Sequence, residues 1–375
     1  MEMMLLHKTA ILSLVLVHTS FAAANSDDLA AVRSVGPEGQ GNAAASAAWK
    51  NLAAGNAATL PALLGAMDGA NDLAVNWLRA AVETIASRET NALPLVELEA
   101  FARDTRHHPR ARHLAVELVA RTDPAAGDRL LGGFLNDPGP ELRRAAVQKV
   151  IDEAARREAA GDKAGVLPLL QKALASARAV DQVNLLSERV KAFGEKVDLV
   201  KLFGFLIHWQ VIGPFDSTGG KGFEAVYPPE KAIDLAASYD GKAGPVRWTN
   251  FTSASPSGVI DFNQPLGALK GVAGYAFTEF NSPTEQSVEL RLGSGNAWKV
   301  WLNGRFIFGR EEYHRGMEID QYRLPVTLRA GVNTLLVKLC QNEQVEDWTK
   351  QWDFQLRITD AQGTPITPAA TAKTN

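Results

Sequence analysis

The spacing of apolar residues changes about halfway along the chain. Over residues 43–189, apolar positions recur at three- and four-residue intervals, and many are Ala or Leu, which predicts amphipathic helices. From residue 207 onward, short runs alternate apolar and polar positions between turns rich in Gly, Pro, Asn and Asp, which predicts β-strands. The pattern therefore divides the chain into a helical first half and a β-rich second half.

The clearest local prediction is a β-hairpin over residues 298–310. Its centre is Asn303-Gly304, a pair that suits a two-residue turn because both positions need a positive φ. We expect Trp301 to face away from its immediate neighbours, and Phe306 and Phe308 to share one face of the second strand. Large side chains on both faces indicate strands inside a packed sheet.

Other short strands are expected on both sides of this hairpin. A first strand and its turn cover residues 207–215, and the remaining predictions are 246–248, 274–280, 286–292, 299–302, 305–309, 322–328, 333–339 and 353–358. Many short strands without helices between them are typical of an antiparallel β-sandwich or jelly roll.

The helical half contains two recurring motifs. The first begins at Leu60, Leu93, Leu130 and Leu167, at intervals of 33, 37 and 37 residues, and carries Pro in most copies. The second combines Arg and Ala with apolar residues, and it occupies residues 78–82, 112–116 and 142–147. Each unit predicts a helix pair, and pairs of this kind cover their apolar faces only by stacking.

These motifs, with the turn Asp137-Pro138-Gly139-Pro140 before Leu-Arg-Arg-Ala-Ala-Val, resemble HEAT repeats. The resemblance covers about residues 43–194 and implies a right-handed α-solenoid of helix pairs, either regular or irregular. The period also suits tetratricopeptide repeats, but their Trp, Gly and Tyr pattern is missing. A solenoid offers an extended groove to a protein partner. It would serve equally well as a spacer or packing platform.

The second half resembles the galactose-binding-like jelly roll over most of residues 207–360. The resemblance rests on the segments Trp-x-x-x-Gly-Pro-Phe from Trp209, Leu-Arg-Leu-Gly-Ser from Leu290, Lys-Val-Trp-Leu-Asn-Gly from Lys299, Gly-Val-Asn-Thr-Leu-Leu-Val-Lys from Gly331 and Trp-x-Phe-x-Leu-Arg-Ile from Trp352. Similar modules accompany exported bacterial glycosidases. Related modules carry an acidic turn before Val-Trp-Leu-Asn-Gly, whereas this chain has Ser294-Gly295-Asn296 there.

The amino terminus predicts a secretion signal over residues 1–24. Lys8 precedes an apolar run at residues 10–17, and small residues at Ala22 and Ala24 suit signal-peptidase cleavage. A membrane anchor is the alternative, but the run is shorter than the roughly 20 residues that span a bilayer. The sequence therefore predicts an exported protein, periplasmic or extracellular, with no membrane span after cleavage.

Composition adds few constraints. A formal net charge of -3 gives no reason to expect nucleic acid or an anionic membrane as partner. Cys340 is the only cysteine, so no internal disulfide can form, and its place in a strand predicts a small buried hydrophobe.

The predicted domains are the solenoid over residues 43–206 and the jelly roll over residues 207–360. Between the signal and the solenoid we expect a linker over 25–42. A disordered tail is expected over 361–375.

Candidate ligand contacts are aromatic and polar residues in the predicted loops of the β-rich half. Sugars place their C–H faces on aromatic rings and their hydroxyls on polar groups. The predicted contacts are Trp298, Tyr313, His314, Trp348, Arg310 and Glu312, with Trp248, Trp352, Asp216 and Asn342 as weaker candidates. Trp209 and Trp301 fall inside strands and are expected in the core.

No catalytic, metal or cofactor site is predicted. Glu311, Glu312, His314 and Asp320 form the densest titratable cluster, but neighbouring residues on a strand point to opposite faces. No carboxylate or Cys near His107, His108 and His113 completes a metal site, so solvated histidines are expected, the first two in a loop and His113 at the start of a helix.

Three hypotheses follow for function. The first is non-catalytic binding of a glycan or glycosylated surface by the jelly roll, with the solenoid holding a protein partner. The second is a purely structural envelope scaffold that binds no sugar. The third is a glycan-processing enzyme, which would need two carboxylates facing each other across a cleft.

Overall fold

The computed structural model describes residues 24–366 and 369–370. The chain forms two compact units, one ending at Lys149 and the other beginning at Val150. Helices occupy the N-terminal half and antiparallel sheets the C-terminal half, which confirms the coarse division expected from the sequence. The predicted signal segment, residues 1–24, lies outside the described residues except for its last position.

Eleven helices precede the first strand within the described residues. They are α1 (Ser26–Arg33), α2 (Asn42–Ala53), α3 (Leu60–Gly65), α4 (Asp72–Arg88), α5 (Leu95–Arg103), α6 (Pro109–Thr122), α7 (Pro124–Gly132), α8 (Pro140–Ala159), α9 (Lys163–Ser176), α10 (Val180–Ala192) and α11 (Leu199–Phe203). Helix α1 lies inside the segment 25–42 that the sequence predicts as a linker. Its Val32 is fully buried, and α1 packs against α2.

Every copy of the second recurring motif lies inside a helix, whereas copies of the first fall at different positions in their helices. Residues 78–82, 112–116 and 142–147 lie inside α4, α6 and α8. The copy at Leu60 starts α3, but Leu130 is near the end of α7 and Pro168 lies inside α9. The copy at Leu130 falls late in its helix because α7 already starts at Pro124, where the Asp123 side chain caps the helix.

Close helix contact in the first unit depends on small residues and one buried ion pair. A side chain at Gly127 of α7 would collide with Ala120 of α6, so only glycine allows this approach. Arg112 of α6 is 1% exposed, and its guanidinium makes hydrogen bonds of 2.8 and 2.6 Å to the two carboxylate oxygens of Asp137. This bidentate pair ties the turn before α8 to α6.

The β-rich half contains thirteen strands among the described residues. They are β1 (His208–Asp216), β2 (Ser238–Gly241), β3 (Gly244–Arg247), β4 (Thr249–Thr252), β5 (Ile260–Asp261), β6 (Val272–Ser282), β7 (Gln286–Ser294), β8 (Ala297–Leu302), β9 (Arg305–Arg310), β10 (Tyr322–Leu328), β11 (Gly331–Gln341), β12 (Asp353–Thr359) and β13 (Ala369–Ala370). Two short helices, α12 (Pro228–Lys231) and α13 (Asn263–Leu266), interrupt them. Each predicted strand overlaps an observed one, and β2, β4, β5 and β13 were not predicted.

The strands form a large and a small antiparallel sheet, together with the β2–β3 pair. The large sheet has the order β4-β1-β6-β11-β8-β9, with β13 added beside β6, and the small sheet has the order β10-β7-β12-β5. One hydrophobic core draws side chains from both sheets, including Val337 of β11, Trp298 of β8 and Leu356 of β12. Trp209 belongs to this core, as predicted.

The hairpin over residues 298–310 forms as predicted, with Asn303 and Gly304 both at positive φ. The expected alternation on its second strand is wrong. A register shift between Val300 and Trp301 places Phe308 opposite Val300 and Phe306 opposite Trp301, so the two Phe side chains lie on opposite faces.

The far side of the small sheet holds a buried cluster of charges. Asp320, with a side chain 4% exposed, accepts hydrogen bonds from Arg291 at 2.7 Å and from Arg357 at 2.7 and 2.6 Å. Arg357 also donates to the Phe203 carbonyl, which joins α11 to β12. Burial raises the pKa of Asp320, but the hydrogen bonds and charges of the two guanidinium groups outweigh it and the pKa is lowered.

Residues 365–366 and 369–370 make backbone contacts. Within the predicted disordered tail, Ile366 donates a backbone hydrogen bond to Ile358, and Pro365 bridges to Thr359. Further along, β13 pairs with β6.

Among the described residues, every helix is too short or too polar to cross a membrane.

Replacing Asp320 should destabilise the second unit strongly. Asp320→Ala leaves two buried guanidinium groups without their shared carboxylate, and we expect a loss of about 3–5 kcal/mol in the free energy of unfolding. Denaturant unfolding of the full-length chain, followed by near-ultraviolet circular dichroism, measures this. Glu312→Ala, in the same connection between β9 and β10, is the control, since the ion pairs of Glu312 are exposed and should add little to stability. Equal losses of stability in Asp320→Ala and Glu312→Ala would contradict a stabilising role for the buried Asp320 cluster.

A second carboxyl group predicts a pH dependence. Asp353 of β12 lies opposite Asp261 of β5, and its Oδ1 is buried without a hydrogen-bond partner among the described residues. Burial and then the Asp261 charge raise the pKa of Asp353 to about 6, above the roughly 3.9 of an unfolded Asp. The contribution of protonated Asp353 to the free energy of unfolding is therefore complete below about pH 4, and it is lost as the pH rises through 6.

Asp353→Asn should stabilise the protein at pH 7.5, by about 1–3 kcal/mol, and have little effect at pH 4. Thermal melts at the two pH values test this. Asp347→Asn, a change at an exposed carboxylate, is the control. A shift of the same size at both pH values would disprove the raised pKa.

Candidate functional site

The outer face of the large sheet, opposite the shared core, carries an ordered grid of side chains. Leu336 of β11 lies between Trp301 of β8 and Phe277 of β6, since it pairs with both. Two positions along β11, Thr334 lies opposite Glu279 of β6. Directly paired residues point to the same face, so an apolar row of three lies beside a polar row.

On the other side of the apolar row, a buried ammonium group organises the polar contacts. Lys338 of β11 is 0% exposed, and its Nζ donates to the carbonyls of Phe223 and Ala225 at 3.2 and 2.6 Å and to Glu230 Oε1 at 2.8 Å. The Tyr275 hydroxyl donates to the same carboxylate oxygen. These bonds hold the segment from residue 223 to the short helix α12 against the sheet.

The aromatic rings around Lys338 complete this arrangement. Its Nζ lies 5.0 Å from the centre of the Tyr227 ring and 5.8 Å from that of Tyr275. Burial, followed by the nearby Glu230 carboxylate, raises the pKa of Tyr275 far above its usual range, so the hydroxyl stays protonated and acts as a donor. The side chain of Glu230 is thus fixed by two donors.

A cavity of about 350 Å³ lies between residues 229–235 and the outer face of the large sheet. Its floor includes the row Trp301, Leu336 and Phe277. Its walls are Pro229, Glu230, Lys231, Ala232, Ile233, Leu235, Glu279, Gly304 and Thr334. The volume falls in the range of roughly 300–1,000 Å³ typical of small-molecule pockets. An apolar floor with a few fixed polar groups can hold a ligand that has one apolar face and hydrogen-bonding edges.

None of the six predicted contacts lines this cavity. Trp298 was expected in a loop, but it lies in β8, is 0% exposed and belongs to the core, so the prediction of an exposed ring is wrong. Apolar neighbours on both sheets enclose it. Trp352, also expected in a loop, is buried in the same core, whereas Trp248 is buried in the aromatic cluster on the outer face of the large sheet.

Three of the predicted residues do come together elsewhere. The His314 ring packs edge-on against Trp348, with the ring centres 5.3 Å apart, and Tyr313 is beside it. The side-chain oxygen of Asn342 accepts a hydrogen bond from His314 Nε2, 2.9 Å away. Trp348 is 62% exposed, whereas Tyr313 is half-buried against the aromatic cluster on the outer face of the large sheet. These residues form a patch around the exposed Trp348 ring.

The polar candidates are engaged in ion pairs. Glu312 accepts from Arg310 at 2.5 Å and from Arg315 at 2.9 Å, and hydrogen bonds from these two groups lower its pKa. Asp216 lies 2.6 Å from Lys221. Asp320, the last member of the predicted titratable cluster, is held by Arg291 and Arg357.

The histidines differ from the expectation of solvated side chains. His107 is half-buried, its Nδ1 lies 2.7 Å from Asp68, and its ring stacks on Phe101 with centres 3.9 Å apart. His108 caps α6. Within residues 24–366, no group of three or more His, Cys, Asp or Glu side chains could hold a metal ion.

Cys340 is buried, as predicted, and lies on the outer face of the large sheet. Burial raises the pKa of its thiol to about 12, which disfavours the reactive thiolate.

Sequence reasoning missed Glu230 and assigned Trp301 to the core alone. The one signal that could have found the cavity is a lysine at position 338 inside an otherwise apolar strand, because a buried ammonium needs a carboxylate partner.

Comparison with known proteins adds no family assignment. No protein-family model matches the chain, and no curated protein matches it. The site therefore has to be interpreted from its own geometry.

The ion pair beside the cavity predicts a strong interaction between two substitutions. Glu230→Leu leaves the Lys338 ammonium buried beside two carbonyls only, and we expect a loss of about 3–5 kcal/mol in the free energy of unfolding. Lys338→Met alone should also destabilise. The double variant should recover most of the loss, because an apolar pair of similar size replaces both charges.

Denaturant unfolding of the four chains completes this cycle. Glu224→Leu is the control, since Glu224 pairs with Lys299 through a side chain that is 78% exposed and should contribute at most about 1 kcal/mol. Additive effects of Glu230→Leu and Lys338→Met would show that the two groups do not interact.

Proposed function

We propose that this chain is an exported, non-catalytic protein that binds carbohydrate through its C-terminal half. In this proposal the β-rich half is a galactose-binding-like jelly roll, and the helical half is a HEAT-like α-solenoid that holds a protein partner. Export rests on the predicted signal segment in the sequence.

The jelly-roll assignment is supported by the two antiparallel sheets that share one core. The solenoid assignment is supported by the contacts of α3 with α4, α5 with α6, and α6 with α7, together with the motif that recurs in α4, α6 and α8. Stacked pairs of this kind leave an extended surface for a partner.

The observation that carries carbohydrate binding is the cavity floored by Trp301, Leu336 and Phe277. The C–H face of a sugar ring is apolar and packs on such a surface, and its hydroxyl groups need polar partners around the edge. Glu230, Thr334 and Glu279 provide these partners on both sides of the row. The patch around Trp348 also presents an exposed ring.

A glycan array with the full-length chain tests the proposal and separates the two places. Thr334→Arg fills the cavity from a half-exposed position, and Trp301→Ala removes part of its floor. We expect each to reduce binding at least about tenfold, because loss of a buried aromatic contact or blockage of a pocket costs more than about 1.4 kcal/mol.

Trp348→Ala is the matched control, since it removes an aromatic ring outside the cavity. Circular dichroism spectra must show that every variant is folded. Binding lost in Trp348→Ala and kept in Thr334→Arg would move the site to the loop patch. A folded chain that binds no glycan would refute carbohydrate binding and favour a structural scaffold.

A further inference from the structure

The charged groups around the cavity cancel. Glu230 and Glu279 contribute two carboxylates, and Lys231 at the wall contributes one ammonium group. The second ammonium is that of Lys338, which lies 2.8 Å from Glu230 Oε1 and is fully buried behind it. A charged ligand would lose part of its hydration here without meeting an opposite net charge.

Only one oxygen of Glu230 is left for a ligand. Both hydrogen bonds described for this carboxylate, from Lys338 and from Tyr275, end on Oε1. The side chain is 10% exposed and lines the cavity, so Oε2 is the atom that can face a bound molecule. A carboxylate oxygen only accepts, and the ligand group opposite it must therefore be a donor.

The acceptor is preorganised. Lys338 and Tyr275 lie side by side on β11 and β6, and both are fully buried, so their donors hold Glu230 from beneath. An acceptor that is already fixed loses little conformational entropy when it binds a hydroxyl group. On the opposite side of the apolar row, the Thr334 hydroxyl can donate or accept.

We propose that the cavity selects uncharged sugars, with one face of the ring on the row Trp301, Leu336 and Phe277 and one hydroxyl group donating to Glu230 Oε2. This inference rests on the proposed carbohydrate binding. It adds the charge class of the ligand and the group that recognises it.

The test uses matched oligosaccharides of equal length on one array: neutral hexoses, their 2-amino derivatives and their uronic acids, each in the gluco, galacto and manno series. The probe is the full-length chain at pH 6. We expect the neutral member of at least one series to bind at least about tenfold more tightly than its two charged analogues, and its affinity to change less than about twofold between 20 and 500 mM salt.

The double variant Glu230→Leu/Lys338→Met examines the acceptor. It removes Oε2 together with the buried charge behind it, and its melting temperature reports whether it folds. We expect a loss of at least about tenfold in affinity for the neutral sugar. Glu224→Gln, a change at an exposed carboxylate that does not line the cavity, should alter that affinity by less than about threefold.

Each outcome has a distinct meaning. Equal binding of charged and neutral members, or preference for a charged one, overturns the inference while carbohydrate binding stands. Full affinity in the folded double variant overturns the role of Glu230. Binding of no sugar in any series by the folded parent chain refutes the proposed function itself, and the inference falls with it.

Discussion

A buried ammonium group sets the architecture of the β-rich half on its outer side. Lys338 lies on β11, an interior strand of the large sheet, where backbone groups are already paired with β6 and β8. An ammonium group there is tolerated only with acceptors around it. The chain supplies two carbonyls and Glu230, more than a hundred residues earlier in sequence. Meeting that requirement brings residues 223–230 onto the sheet, and the cavity is the space left beside them.

Strand β11 contributes apolar side chains to both faces of the large sheet. On β11, Leu335, Val337 and Leu339 enter the core shared with the small sheet, whereas Leu336 and Cys340 enter the second cluster on the outer face. A strand covered on one side only would alternate apolar and polar residues. The nearly continuous apolar run around Lys338 therefore reports coverage on both sides. The exception, a lysine, marks where the cover is polar.

The sequence predicted the β-rich half well where a local rule was sufficient. The run 322–328 matches β10 residue for residue, and Asn303-Gly304 forms the expected turn. Local rules failed where tertiary contacts decide. Trp298 follows a Gly-rich turn and was expected to be exposed, but β11 and β9 pair on either side of it and the core encloses its ring. The alternation of Phe306 and Phe308 failed because a register shift is not encoded in apolar spacing.

The candidate site was beyond such rules for a related reason. Its floor comes from three strands, its wall from a short helix between β1 and β2, and its key pair joins positions 230 and 338. Periodicity identifies the face on which a residue lies, but not which distant segment covers that face. Trp301 illustrates the ambiguity, since a ring 8% exposed can be both part of a hydrophobic cluster and the floor of a cavity. In the proposed site, the polar group that lines the cavity together with Trp301 is the Glu230 carboxylate. Its placement follows from the need to neutralise Lys338.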